Sequence, residues 1–151
     1  AHGQPSPPAY ARTDSYTPGF PLQFPLPGQS RKPPATLAHR SDGGLGDDFH
    51  IGNDLAAAQG TPVLAAADGV VRMAGSHKSY GNYLRILHAD GDETLYAHMQ
   101  YLFVKAGECV TAGQILGTVG ETGNATGPHL HFEILHRGLR YDPAEALQNA
   151  S

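Results

Sequence analysis

Short β-branched and aromatic runs separated by glycine turns constrain the fold of this chain more than any other feature. Turn signals such as Asp68-Gly69 lie between the runs, and no stretch before the C-terminal tail sustains a helical period. Glycine (19 residues) and proline (12 residues) are abundant, which also favours turn-rich β structure. We therefore predict an all-β barrel or folded sheet containing the strands Val63–Ala67, Val70–Ala74, Tyr83–His88, Glu93–His98 and Ile115–Val119.

A further strand is predicted between Thr126 and Leu135, where polar and apolar residues alternate along the chain from His129 onwards. Side chains on a strand alternate between its two faces. One face is therefore apolar and faces the core, with Leu130, Phe132 and Ile134, and the other carries His129, His131 and Glu133. Paired imidazoles can bind a metal or transfer protons near neutral pH. For this stretch alone, two solvated histidines on a half-buried strand are an equally good interpretation.

A second polar pair lies in Phe49–Leu55. In an extended chain His50, Gly52 and Asp54 share one face, and the glycine leaves room for close approach between the two polar side chains. Imidazole and carboxylate are ligands that zinc accepts, and a catalytic zinc site uses three protein ligands plus water. The residues alone leave open whether His129, His131 or both would complete the site, and a simple surface pair is the alternative for His50 and Asp54.

Composition narrows the possible functions. A chain of 151 residues predicts one domain, and a net charge of −4 without a basic block argues against a nucleic-acid partner. No apolar run reaches the length of a membrane span, and we expect no signal peptide in the sequence given, whose first residues resemble the start of a mature or trimmed chain. Cys109 is the only cysteine, which excludes an internal disulfide, and we expect it to be a small packing residue.

The two ends of the chain differ from the middle. Most prolines lie in residues 1–38, which we predict to be an extended arm or linker, with Phe24 and Leu26 docked on a domain that spans residues 39–151. Residues 141–148 could form one short helix with Asp142 as its cap. The isolated histidines away from the two polar strands are expected to be solvated: His2, His39, His77, His88 and His136.

Several motifs occur together and in order between about residues 45 and 144. The set resembles the successive motifs of the lysostaphin/LytM-type zinc metallopeptidases, the M23 family, and is more specific than any single member. It comprises Phe49-His-Ile-Gly-Asn-Asp54, Gly60-Thr-Pro-Val63, Tyr96-Ala-His98 and Gly127-Pro-His-Leu-His-Phe-Glu133.

The resemblance implies a compact antiparallel LytM-type (duplicated hybrid motif) peptidase domain that binds one Zn²⁺. It implies that His50, Asp54 and His131 are the zinc ligands. It further implies that His98 and His129 flank the water that zinc activates, and that His129 takes the water's proton. We expect substrate contacts from Tyr80, Asn82, His77 and Thr126, and we expect Glu133 either to orient His131 or to be a salt-bridged surface residue.

The implied activity is hydrolysis of peptide bonds in bacterial peptidoglycan, in stem-peptide cross-links or glycine-containing bridges, by a monomer in the periplasm or outside the cell. The alternative is a non-catalytic LytM-type module that binds cell wall or activates an amidase. The intact set of ligand and catalytic positions favours the enzyme. A third class, a biotinyl or lipoyl carrier, is suggested by Val104–Leu116, but neither Lys78 nor Lys105 has the hairpin-tip setting that a carrier needs.

Overall fold

Nine strands form one antiparallel sheet in the computed structural model, which describes residues 18–20, 22–27, 53–123, 125, 127–141, 143, 146–147 and 150. The all-β prediction is confirmed. The strands are β1 (Asn53–Ala56), β2 (Pro62–Leu64), β3 (Gly69–His77), β4 (Gly81–Leu87), β5 (Asp92–Leu102), β6 (Cys109–Val110), β7 (Ile115–Val119), β8 (His129–His136) and β9 (Leu139–Tyr141).

The long strand β5 lies at the centre of the sheet. The main path of neighbouring strands is β1-β8-β5-β4-β3-β6, while β9 pairs with β8, and β7 pairs with both β5 and β2. A short 3-10 turn, Ala89–Gly91, joins β4 to β5. In the predicted C-terminal helix, Ala146 and Leu147 are helical and the Leu147 amide donates to the Pro143 carbonyl, whereas Asp142 lies outside the described residues.

The core lies against one face of this sheet. Leu130, Phe132 and Ile134 of β8 are fully buried there, as their alternation predicts. Two apolar side chains of the proline-rich segment, Phe24 and Leu26, join the same core cluster, which confirms that this part of the segment is docked. The segment is also held through its backbone, because the Gln23 amide donates to the Ala66 carbonyl and the Pro25 carbonyl accepts from the Leu64 amide.

Three sequence-based expectations about single residues were wrong. Cys109 is exposed, because it alternates with the buried Val110 on the two-residue strand β6. His88 is buried, because its two ring nitrogens bond the Asp68 carbonyl and the Thr94 hydroxyl. His136 is not simply solvated, because its ring is paired with the buried carboxylate of Asp92.

The opposite face of the central sheet carries polar side chains over a small apolar cluster. Leu95, Ala97 and Leu135 are buried there beneath Tyr80 and Tyr83. The predicted site residues of β1 and β8 lie on this same face, next to that cluster. Among the described residues, none of the helical stretches has the length and hydropathy needed to cross a membrane.

Candidate metal and catalytic site

Backbone pairing brings Asp54 and His131 together. They are direct cross-strand partners on β1 and β8, and the Asp54 Oδ1 and His131 Nδ1 atoms lie 2.9 Å apart. Because β1 is short and pairs only with β8 among the described strands, Asp54 keeps a side chain that is 26% exposed while His131 is buried. One polar partner is therefore open to solvent, and the other is fixed in the sheet.

Glu133 fixes the orientation of the His131 ring. Its Oε2 atom lies 2.8 Å from His131 Nε2, and the glutamate is 2% exposed, so it is not a surface residue. A carboxylate accepts hydrogen bonds, so Nε2 carries the proton in this contact. In the neutral ring Nδ1 is then the nitrogen with the lone pair, and Nδ1 is the atom that faces Asp54.

The two carboxylates also control the protonation of His131. Burial alone would lower the pKa of the ring, but its hydrogen bonds to Asp54 and Glu133 and the charges of both groups raise the pKa to about 9. Burial would raise the pKa of Glu133, yet its contacts with His131 and Arg140 hold that pKa below the ordinary value. Without a metal, the structure therefore favours an imidazolium between two carboxylates, and a metal ion at Nδ1 would replace one proton.

His98 and His129 lie beside this pair, and both rings are anchored through Nδ1. Their ring centroids are 4.8 Å apart, and the His98 ring is 6.0 Å from the His131 ring. Each Nδ1 faces a backbone carbonyl, that of Thr122 at 2.6 Å for His98 and that of Gly127 at 2.9 Å for His129. A carbonyl only accepts, so both Nδ1 atoms carry hydrogen, and both Nε2 atoms can exchange a proton in the site. His129 Nε2 lies 3.6 Å from Asp54 Oδ1.

The backbone of His98 is in the left-handed region, with a φ of 63°. Its amide donates to the Tyr80 carbonyl and its carbonyl accepts from the Gly120 amide, at the irregularity where β5 changes register against β4 and β7. A non-glycine residue in this region costs energy and persists only where the surroundings impose it. Burial lowers the pKa of His98 to about 4, against the opposing effect of its bond to Thr122.

The predicted substrate-contact residues have different surroundings. The Tyr80 hydroxyl donates to Glu133 Oε2 at 2.9 Å, and its ring stacks over that of His131. The Asn82 amide donates to the carbonyls of Met99 and Gln100, where it supports the irregular part of β5. His77 is exposed beside Tyr80 and Tyr83. The other two predicted site residues, His50 and Thr126, lie outside the described residues.

Two residues that the sequence analysis did not single out support the site. Arg140 Nε lies 3.1 Å from Glu133 Oε1, and its Nη2 donates to the Tyr80 hydroxyl. Arg140 reaches Glu133 because Arg137 and Gly138, both with positive φ, make a two-residue turn that folds β9 back on β8. The Thr122 carbonyl holds His98, and the Thr122 hydroxyl donates to the Met99 carbonyl. The Arg-Gly pair between two apolar runs was the available sequence signal for the hairpin.

The donor atoms of the Asp54–His131 pair are of the kind that zinc accepts. A tetrahedral zinc with ordinary bond lengths separates two ligand atoms by about 3.3 Å, so Asp54 Oδ1 and His131 Nδ1, which are 2.9 Å apart, would move apart by about 0.4 Å to share one ion. Glu133 supplies the contact to the outer ring nitrogen that zinc-binding histidines usually have. Within the described ranges no group of three or more histidine, cysteine, aspartate or glutamate side chains is arranged to hold a metal, and the third predicted ligand, His50, lies outside them.

An antiparallel sheet that carries histidines and an aspartate on its polar face is the arrangement expected of an M23 peptidase domain, and the comparisons agree. The sequence profile of Peptidase family M23 matches residues 48–143. This chain belongs to that family. The resemblance noted in the sequence is therefore confirmed.

Three similar proteins illustrate the relationship. The peptidoglycan DD-endopeptidase ShyC of Vibrio cholerae is 47% identical over 94 residues, which are 62% of this chain and 22% of ShyC. The catalytic domain of the antimicrobial peptidase lysostaphin from Staphylococcus simulans is 35% identical with a TM-score of 0.64, and the match covers 70% of this chain and 84% of that domain. A zinc-containing peptidase from Vibrio cholerae is 34% identical with a TM-score of 0.63, covering 90% and 39% of the two chains. The chain spans about a fifth of the length of the curated relatives it matches.

Proposed function

We propose that this chain is a zinc-dependent endopeptidase that hydrolyses peptide bonds in bacterial peptidoglycan. The observation that carries the proposal is the line of contacts from Asp54 through His131 to Glu133, which fixes one imidazole nitrogen beside a carboxylate oxygen on the open face of the sheet. Membership of the M23 family and the similarity to a DD-endopeptidase and to a zinc-containing peptidase support it.

We assign zinc binding to Asp54 and His131, with His50 as the third ligand. When bound, zinc supplies a Lewis acid and lowers the pKa of water so that a nucleophile is available near neutral pH. We assign the proton transfers to the chain's own imidazoles. His129 accepts the proton of the attacking water at Nε2, because Nδ1 is held by the Gly127 carbonyl while Nε2 lies 3.6 Å from Asp54 Oδ1.

His98 has the second role in the reaction. Its ring is anchored through Nδ1 to the Thr122 carbonyl, so its Nε2 can only point towards the shared site. In the neutral ring this Nε2 carries no hydrogen, so the ring takes up a second proton from solvent before Nε2 donates a hydrogen bond to the oxygen that becomes negatively charged as the peptide carbonyl is attacked. We assign to Glu133 the role of orienting His131. We assign substrate contact to His77, Tyr80 and Asn82, and also to Thr126, which lies outside the described residues.

Digestion of purified peptidoglycan tests the proposal. Zinc-loaded protein should release uncross-linked muropeptides from sacculi, chelator should stop the release, and added zinc should restore it. His129→Ala and Asp54→Ala should both abolish the products, while Tyr101→Phe, on an exposed side chain, should not. Binding to sacculi without any released peptide would instead indicate the non-catalytic cell-wall module.

Three further features follow from the same proposal. The site would be exposed to cell wall in the periplasm or outside the cell, and the chain would act as a monomer. Residues 39–151 would form the peptidase domain and residues 1–38 its arm. Because Leu22, Phe24 and Leu26 belong to the core cluster, removing residues 1–38 should destabilise the domain rather than leave it unchanged.

A further inference from the structure

We propose that a pocket beside the candidate metal site binds a carboxylate group of the peptide substrate, two to four residues from the bond that is cleaved. This inference rests on the proposed endopeptidase function and adds a subsite to it. The pocket has a volume of about 310 Å³ and lies on the polar face of the sheet. Its lining includes Tyr80, Tyr83, Arg85, Leu135 and Arg140.

The position of the pocket follows from β8. His131, Glu133 and Leu135 occupy successive positions on one face of that strand, and Leu135 lines the pocket. At about 3.3 Å per residue, Leu135 lies roughly 13 Å from His131 along the strand, whereas the ring of Tyr80, which also lines the pocket, is 6.0 Å from the His131 ring. An extended peptide advances by the same distance per residue, so two to four of its residues span the gap. Tyr80 connects the two places, because it lines the pocket and its ring stacks on His131.

The chemistry of the pocket favours an anion. Arg85 pairs with Glu93 through Nε and Nη2, and Arg140 uses Nε for Glu133 and Nη2 for the Tyr80 hydroxyl. In the described part of the chain, the Nη1 atoms of these two arginines have no hydrogen-bond partner, and both side chains are about a third exposed. Each guanidinium is therefore held in place by a buried carboxylate while part of its donor edge still faces the pocket.

The two arginines that line the pocket are balanced by the buried carboxylates of Glu93 and Glu133, so the pocket has no excess of negative charge although the chain as a whole carries −4. Arg72 also contacts Glu93 but does not line the pocket. A planar guanidinium with free donors binds a carboxylate better than it binds a neutral amide. The apolar surfaces of Leu95 and Leu135 would accommodate the short carbon chain that carries the carboxylate.

Equilibrium binding to the zinc-free protein tests the pocket without relying on catalysis. The probes are a cross-linked stem-peptide dimer with free carboxylates and the same dimer with those carboxylates converted to carboxamides. Calorimetry should show that amidation weakens binding to the wild-type chain about tenfold, the size of one charge-assisted hydrogen bond. Arg85→Gln should reduce this preference to about one, and Arg85→Lys, which keeps the charge but loses the planar fork, should retain part of it.

Arg72→Gln is the matched control. It removes the same charge from the same partner, Glu93, but Arg72 does not line the pocket, so the preference for the free acid should remain about tenfold. The proposal is overturned if wild-type protein binds both probes equally, if neither binds, or if both glutamine variants lose the preference equally. A retained preference without cleavage of either probe by zinc-loaded protein would reject the endopeptidase function and leave the pocket standing.

Discussion

At the scale of single residues, the backbone of His98 is in an unfavourable conformation that the surrounding structure maintains. Its φ of 63° would suit glycine, yet a histidine is present, held by bonds to Tyr80 and Gly120. We predict that His98→Ala and His98→Gly both abolish peptide cleavage, because both remove the ring. The glycine variant should be more stable than the alanine variant by about 1 kcal/mol, because only alanine retains the unfavourable left-handed conformation. Urea denaturation measures the difference, and equal stabilities would show that the site does not strain the backbone.

The hydroxyl of Tyr80 makes a second prediction at this scale. It donates to Glu133, which in turn holds His131. Tyr80→Phe should leave the ring stacked but free the glutamate, and we expect zinc affinity to fall about tenfold, the usual effect of removing a group that orients a metal ligand. Competition with a fluorescent chelator measures the affinity. Tyr101→Phe removes an exposed hydroxyl as a control and should not change it. An unchanged affinity in Tyr80→Phe would mean that Glu133 does not need this bond.

The sequence indicated the residue types of the site better than their contacts. Alternation along β8 placed His129, His131 and Glu133 on one face, because period-2 alternation follows from strand geometry alone. It could not show that Glu133 is buried, because that burial comes from Arg140 and Tyr80, which approach from β9 and from the turn before β4. Contacts between distant segments leave no periodic signal in the chain.

At the scale of elements, the loop that contains Gly123 closely approaches the backbone of Ser79 and Gly81 beside the site. A Cβ atom on Gly123 would lie 2.3 Å from the Gly81 nitrogen and 2.6 Å from the Ser79 carbonyl oxygen, and its φ is +76°. We predict that Gly123→Ala destabilises the fold by about 2 kcal/mol, through both the clash and the strained backbone. It should also lower turnover, because the neighbouring Thr122 carbonyl holds His98.

Gly75→Ala provides the control for that prediction. A Cβ at Gly75 meets nothing within 4 Å, so its free energy of unfolding should stay within about 0.5 kcal/mol of the wild type. Chemical denaturation compares the two variants, and a peptide-cleavage assay follows the expected loss of turnover in Gly123→Ala alone. Equal stability of the two alanine variants would contradict the close approach of the loops.

The sequence predicted the type of most secondary-structure elements better than it predicted where they begin and end. The strand Ile115–Val119 occurs as predicted, because glycine turns bound it on the N-terminal side and a loop on the other. In contrast, β3 extends to His77 and β5 extends to Leu102, whereas the sequence predicted that these strands end at Ala74 and His98. Cross-strand pairing of Ser76 with Asn82 and of Leu102 with Gly117 lengthens these strands, and pairing partners cannot be deduced from propensity alone.

At the scale of the whole molecule, a buried hydrogen-bond network links stability to pH. The Ala66 amide donates to the Tyr96 hydroxyl, which contacts the Thr94 hydroxyl, which contacts His88 Nε2. Because His88 Nδ1 faces the Asp68 carbonyl, the neutral ring carries its hydrogen on Nδ1 and accepts at Nε2. Burial lowers the pKa of His88 from its ordinary value of 6.5, against the opposing effect of the Asp68 bond.

The sign of the pH effect follows from that lowered pKa. Below pH 6.5 His88 is protonated in the unfolded chain but remains neutral in the folded chain. The free energy of unfolding should therefore decrease as the pH falls below 6.5. His88→Gln should be less stable by about 2 kcal/mol at pH 7.5 and should lose less stability on acidification than the wild type does. Urea unfolding of both zinc-free proteins at pH 7.5 and pH 5 measures this. Parallel losses in the two proteins would exclude His88 as the source.

The zinc content of purified variants tests the account most directly, because the proposed function requires Asp54 and His131 to hold one ion. Inductively coupled plasma mass spectrometry after exchange into zinc and removal of the excess should give about one zinc per chain for wild type, His98→Ala and His129→Ala. Asp54→Ala, His131→Ala and His50→Ala should retain almost none. A His131→Ala protein that still binds one zinc per chain, or a His129→Ala protein that binds none, would contradict the assignment.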